Sequence, residues 1–262
     1  MKKINNILVP FDRTEVSKKA LVYAINYCKS EFDKNIFIIH VQKDDVDDAA
    51  DLQSYVKEIV DSCPAFRGKI HFEFCKGELI PNVLTSQERL GADVIMMGTN
   101  NQGRVDREDG SNTSKLVLAA DCPVIVIPIS AGEFNLKKII LVIDRQEIED
   151  KNALGVLLAV AQRFDSKVQV LTIFADEKEF EKDIDDDKIE DLLEYNLGGF
   201  YESHAFKKSD DLINAILDFA KEKEMDLLAI LPRNHSSKGK PSEGRLTKLL
   251  TLKTDIPLLT ID

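Results

Sequence analysis

The sequence predicts an α/β protein built from two doubly wound domains in tandem. Three observations carry that prediction. Short, wholly apolar runs such as Val94-Ile95-Met96-Met97 alternate with amphipathic helical stretches, the pattern of parallel strands covered on both faces. Each half carries five such strands and four helices, and parallel strands need helical crossovers. The same succession is also written twice, which turns 262 residues from one large unit into two ordinary ones.

In chain order, Ile7-Leu8-Val9-Pro10-Phe11-Asp12 is an apolar strand ending on an acid, and Ile139-Ile140-Leu141-Val142-Ile143-Asp144 repeats it. A polar turn follows in each half, then a helix with one apolar face: Leu21, Ala24, Ile25 and Cys28 in the first, Leu154, Leu157, Leu158 and Ala161 in the second. The second strands are Asn35 to Val41 and Lys167 to Phe174. Charged helical segments come next, from about Val46 to Ser62 and from about Glu177 to Leu197. Ile70, Phe72 and Phe74 alternate along a third strand, with Phe200, Tyr201 and Phe206 marking its counterpart, and alternation fits a sheet edge with one face less covered. The helix from Leu79 to Leu90 corresponds to that from Asp210 to Lys223. Asp93 to Met97 matches Asp226 to Ile230, and Asp121 to Ile127 matches Asp255 to Ile261. Ala131-Gly132-Glu133-Phe134-Asn135 is the linker, so the domains are expected at residues 1–130 and 136–262. A linker this short implies that they touch.

Composition narrows the function. A formal net charge of −11 argues against nucleic acid as a partner, because phosphate backbones are bound through clustered Lys and Arg. Most of the acidic excess lies after Ser130, with a knot at Asp183 and Asp185-Asp186-Asp187 that reads as a solvated face rather than a metal loop. No run is long enough to span a bilayer, and Met1 to Asn6 passes directly into a strand, so a cytoplasmic protein without membrane partners is expected. Cys28, Cys63, Cys75 and Cys122 form no C-x-x-C pair and read as small core residues; no metal is expected. His40 sits in an apolar strand and reads as a satisfied histidine.

The candidate site is the segment from Asp93 to Pro128. Its strand runs into a polar, glycine-punctuated loop that ends at Gly110-Ser111-Asn112-Thr113, residues suited to cap a helix carrying Leu116, Val117 and Ala120. Strand, loop and helix in this order aim backbone N–H groups and a positive helix end at one spot, a cradle for phosphate. Such sheets bind ligands beyond the carboxyl ends of their strands, where the strand order reverses, and Asp12 and Gly98 both lie there.

These residues resemble the tandem form of the universal stress protein. The resemblance rests on Ile7 to Asp12, Ile38-Ile39-His40-Val41, Gly98 with Gly110-Ser111-Asn112-Thr113, and the closing Cys-Pro-Val-Ile-Val-Ile-Pro and Ile-Pro-Leu-Leu strands. It implies a Rossmann-like five-stranded sheet in the order 3-2-1-4-5 in each half and a pseudo-dimer of the halves packed through their last strands. It also implies ATP or AMP in the first half, with Asp12 on the adenosine moiety, Pro10, Phe11 and Val41 lining its pocket, and Met97, Gly98, Gly103, Gly110, Ser111 and Asn112 around the phosphates. This chain departs from the family's loop: Asn101 stands where a second glycine belongs, and Asp106, Glu108 and Asp109 bring acid, with Arg104 and Arg107 beside them. In the second half Leu231-Pro232 replaces Gly98-Thr99, and Gly244-Arg245 replaces Gly110-Ser111; the intervening loop is basic, which suits either a solvated loop or a small anion.

No P-loop lysine and no paired acids at catalytic spacing are found, so no enzyme is expected. Two readings stay open beside a nucleotide-binding stress regulator. One is a ligand-free interaction module whose tandem domains mimic a homodimer and meet a protein partner; the other is an electron-transfer-flavoprotein-like or adenylating enzyme. Fold alone decides neither.

Overall fold

The computed structural model describes residues 3–42, 49–101, 111–143, 154–174, 187–231 and 244–261. The first half runs β1 (Asn6–Pro10), α1 (Glu15–Tyr27), β2 (Asn35–Gln42), α2 (Ala49–Asp61), β3 (Lys69–Lys76), α3 (Leu79–Leu90), β4 (Val94–Thr99), α4 (Asn112–Ala119) and β5 (Val124–Pro128). The second runs β6 (Lys138–Val142), α5 (Gly155–Phe164), β7 (Lys167–Phe174), α6 (Asp187–Leu197), β8 (Tyr201–Lys208), α7 (Leu212–Glu222), β9 (Leu227–Ile230), α8 (Arg245–Lys253) and β10 (Leu258–Thr260). The helices predicted from Val46 and Glu177 begin later in the described residues, at Ala49 and Asp187. Asp144, the acidic knot at 183–186, Pro232 and the basic loop up to 243 lie outside the described residues.

The ten strands of the described residues form one sheet in the order β3-β2-β1-β4-β5-β10-β9-β6-β7-β8. Each half is therefore the expected 3-2-1-4-5 sheet, parallel throughout, and the halves join where β10 runs antiparallel to β5, with Leu259 opposite Ile125. The strands next to the joint are buried on both faces, which explains their unbroken apolar text. The outermost strands, β3 and β8, keep charged and half-exposed positions, as an edge requires.

The core divides into two layers. One packs α1, α2, α5 and α6 on one face through Leu21, Leu52, Leu157 and Leu193; the other packs α3, α4, α7 and α8 on the opposite face through Val83, Leu116, Ile216 and Leu250. Duplication extends to hydrogen bonds. Asp93 Oδ2 accepts from the N–H groups of Asn5 and Asn6, and Asp226 Oδ2 accepts from those of Lys137 and Lys138. An acid one position before the fourth strand thus pins the start of the first in both halves.

The linker is part of the core. Phe134 packs tilted against Tyr23 of α1 and edge-on against Phe164 of α5, with ring centroids 4.6 and 5.4 Å apart. Arg163 of α5 donates from Nε to the Tyr27 carbonyl at 2.8 Å, at the carbonyl end of α1, and pairs with Glu31. Its guanidinium also lies over the Tyr27 ring, 5.2 Å from the centroid. Glu31 is partly buried, which raises its pKa, but Lys34 and Arg163 outweigh that and hold it below the ordinary value of 4.5. A carboxylate so depressed adds stability that is complete above its unfolded value and lost as pH falls through the folded one. Arg163→Ala is expected to cost about 1–2 kcal/mol of unfolding free energy, the ion pair counting little because Glu31 is partly exposed. The cost should shrink as urea melts are taken from pH 7 to below pH 4.5.

Candidate functional site

The site is the carboxyl edge of β1, β2 and β4. Because β1 lies between β2 and β4, the chain ends after Pro10, Val41 and Thr99 emerge side by side at the reversal of strand order. The Phe11 N–H donates to the Ile39 carbonyl, and His40 Nδ1 lies 2.7 Å from the Phe11 carbonyl. A carbonyl only accepts, so Nδ1 carries the proton there and His40 is the satisfied histidine expected. The Phe11 ring is only 2% exposed and packs toward Tyr55 of α2, so this residue meets the edge with backbone rather than with its ring. Pro10 and Met97 are buried in the strands, and Val41 is half-buried on the α3 and α4 face.

Asp12 is exposed. The N-cap of α1 is not Asp12 but Thr14, whose hydroxyl oxygen accepts from the Ser17 N–H. Thr14 in turn gives Asp12 Oδ1 its hydroxyl at 2.6 Å and its N–H at 3.1 Å. Partial burial raises the Asp12 pKa, and hydrogen bonds from Thr14 and Ser17 more than reverse that, leaving it below the usual carboxylate range. Asp12 is therefore an ionised acceptor at neutral pH. It suits sugar hydroxyls or an amino group and repels phosphate.

Gly98 is the penultimate residue of β4, paired with Ile127. A Cβ at this position would lie 2.2 Å from the Val16 carbonyl oxygen, so α1 itself requires glycine here, whatever binds outside. Thr113 Oγ1 donates to the Gly98 carbonyl at 3.0 Å, tying the first turn of α4 to the end of β4. Ser111 is the N-cap of α4, its Oγ accepting from the Ser114 N–H at 3.1 Å, and Asn112 is the first helical residue. Asp12, Val41, Gly98, Ser111 and Asn112 thus share one edge. Gly103 and Gly110, with Arg104, Asp106, Arg107, Glu108 and Asp109, lie outside the described residues.

Asn101, noted in the sequence only as a missing glycine, binds across the joint instead. Its Nδ2 lies 2.7, 3.0 and 2.8 Å from Ser130 Oγ, the Thr254 carbonyl oxygen and Asp255 Oδ1, so its two hydrogens are shared among three acceptors. Nothing in the local sequence marks this role, because two of the three acceptors lie in the second half.

The equivalent edge of the second half differs. Leu231 follows β9, and the N-cap of α8 is Gly244 in the left-handed region at φ 62°. Leu118 of α4 fills the space beside it: a Cβ on Gly244 would fall 2.2 Å from Leu118 Cδ2. The start of α8 is therefore packed against the first half by an apolar side chain. Among the described residues no group of three or more His, Cys, Asp or Glu side chains could hold a metal, and no helix is long and apolar enough to cross a membrane.

Comparison with known proteins agrees with this architecture. No family model matches the chain. A universal stress protein of Methanocaldococcus jannaschii is 29% identical over 139 residues, spanning 46% of this chain and 80% of the relative. The crystal structure of a universal stress protein from Archaeoglobus fulgidus superposes with a TM-score of 0.71 at 15% identity, covering 100% of this chain and 99% of that one. A putative universal stress protein from Pseudomonas aeruginosa gives 0.68 at 12% identity, covering 98% and 93%. The chain is thus similar in sequence and in fold to universal stress proteins, and its length, about twice that of one such domain, fits the tandem arrangement.

Two glycines can be tested without any ligand. Gly98→Ala should lower the unfolding free energy by at least about 1–3 kcal/mol, because its Cβ meets backbone and cannot be accommodated by a rotamer change. Gly244→Ala combines left-handed strain with a clash against a movable leucine end and should cost about 1–2 kcal/mol. Chemical melts of both variants check the order.

Proposed function

We propose that this tandem relative of the universal stress proteins is a regulator of stress physiology that binds one adenine nucleotide, ATP or AMP, at the carboxyl edge of its first half. The observation that carries the reading is the contrast between the two edges. The first keeps an exposed, ionised Asp12 beside the Gly98 turn and a hydroxyl-capped helix start at Ser111. The second has Leu231 after its strand and Leu118 packed on its helix start.

The chemistry divides along the edge. Asp12 accepts hydrogen bonds from the nucleoside, while Ser111 and the first N–H groups of α4 face its phosphates with a hydroxyl donor and the positive end of the helix. Keeping the acid on the nucleoside side avoids opposing like charges. Binding, not turnover, is the activity proposed: the sequence carries no P-loop lysine, and hydrolysis would need a positioned base and a held metal. The protein works in the cytoplasm, and the second half serves as a fixed structural partner.

Titration of the full chain with ATP tests the reading. Asp12→Ala should weaken binding roughly tenfold, the loss of a charged hydrogen-bond acceptor. Arg245→Ala, at the corresponding helix start of the second half, should leave the affinity unchanged. Equal loss in both variants would place the ligand elsewhere, and no saturable binding would leave a ligand-free interaction module.

A further inference from the structure

The geometry points to Asn101 as a latch that couples the carboxyl end of β4 to the joint between the halves, and through it to occupancy of the first-half edge. The second consequence rests on the proposed nucleotide site; the first does not. Asn101 lies three residues after Gly98, on the segment that leaves the candidate edge. Its amide nitrogen meets three acceptors, two of them in the second half. Ser130 Oγ donates to the same Asp255 Oδ1 at 2.8 Å, so one carboxylate of the second half gathers two donors from the first.

The orientation of that amide is fixed by chemistry. Rotating it would bring Oδ1 against a carbonyl, a hydroxyl oxygen and a carboxylate, so only the nitrogen can face them. The consequence is that, among the described residues, Asn101 Oδ1 is buried without a hydrogen-bond partner. A buried acceptor left unsatisfied is a cost that simple cohesion does not explain, and it shows that the donors hold this side chain where its own oxygen is poorly served.

The grip is on a rigid element. Thr254 is the C-cap of α8, fully buried, its N–H bound to the Leu250 carbonyl. Its hydroxyl donates to the Ile256 carbonyl at 2.8 Å and accepts from the Ile256 N–H at 3.2 Å. Movement at residue 101 therefore works against the turn that leads into β10, and β10 is the strand that pairs with β5. On the other side, the Ile129 N–H donates to the Thr99 carbonyl, which carries the link back to β4. Coupling of this kind is reciprocal: whatever orders the end of β4 tightens the joint, and whatever loosens the joint disorders the edge.

Asp255→Ala in the full chain tests the latch from the half that holds no proposed ligand. Amide exchange should quicken at residues 98–101 as well as along 124–126 and 258–260, and ATP affinity should fall roughly fivefold, the lower end of ordinary coupling. Asp255→Asn keeps an acceptor and should restore most of both losses. Faster exchange at the joint alone, with residues 98–101 and ATP affinity unchanged, would overturn the inference and leave an interface bond. Should the unaltered chain not bind ATP, the proposed function fails, and exchange at residues 98–101 alone then decides the latch: acceleration supports it, and unchanged protection overturns it.

Discussion

The antiparallel pairing of β5 with β10 is the constraint on which the rest of the structure depends. A five-stranded parallel sheet that ended on Val124 to Pro128 would expose an unpaired backbone edge, apolar at every position and ready to pair with any neighbour. Joining two such edges satisfies both and makes one ten-stranded sheet. Once that pairing is made, the remaining contacts between the halves follow from it. It brings α1 beside α5, where Arg163 and the aromatic rings of Tyr23, Tyr27, Phe134 and Phe164 close one face. It brings α4 beside α8 on the other face, and with them Leu118 against Gly244 and Asn101 against Asp255.

That arrangement also explains why two copies of one unit need not keep one function. The halves share topology down to the acid that pins the first strand, Asp93 in one and Asp226 in the other. They differ at the two helix starts nearest the joint. Ser111 caps its helix with a hydroxyl, whereas Gly244 is wedged by a leucine from the opposite half. Leu118, 47% exposed, takes the space beside Gly244 without closing the joint to solvent.

Much of this was legible in the sequence, for identifiable reasons. Doubly buried strands leave uninterrupted apolar text, and duplication leaves repeated text, so strand order and the two halves could be read through the resemblance they supported. Residues whose meaning is set by a distant partner could not. Gly98 reads as a phosphate glycine because loops near ligands favour glycine, yet its immediate requirement is the Val16 backbone of a helix eighty residues earlier. Phe11 reads as a pocket wall, yet its ring points into the core toward Tyr55. Asp12, an acid directly after a strand, fits a helix cap as well as an adenosine contact, and the cap is two residues on, because the Thr14 hydroxyl reaches the Ser17 N–H while the acid braces Thr14. Asn101 and Arg163 carry no local pattern at all; two of the three acceptors of Asn101, and the partners of Arg163, lie in the other half.

The nucleotide edge proposed for the first half has no counterpart proposed in the second, whose helix start at Gly244 packs against Leu118. The most direct measurement is the stoichiometry of ATP bound to the full chain by calorimetry at saturating ligand. The account predicts one nucleotide per chain; two nucleotides per chain, or none, would contradict it.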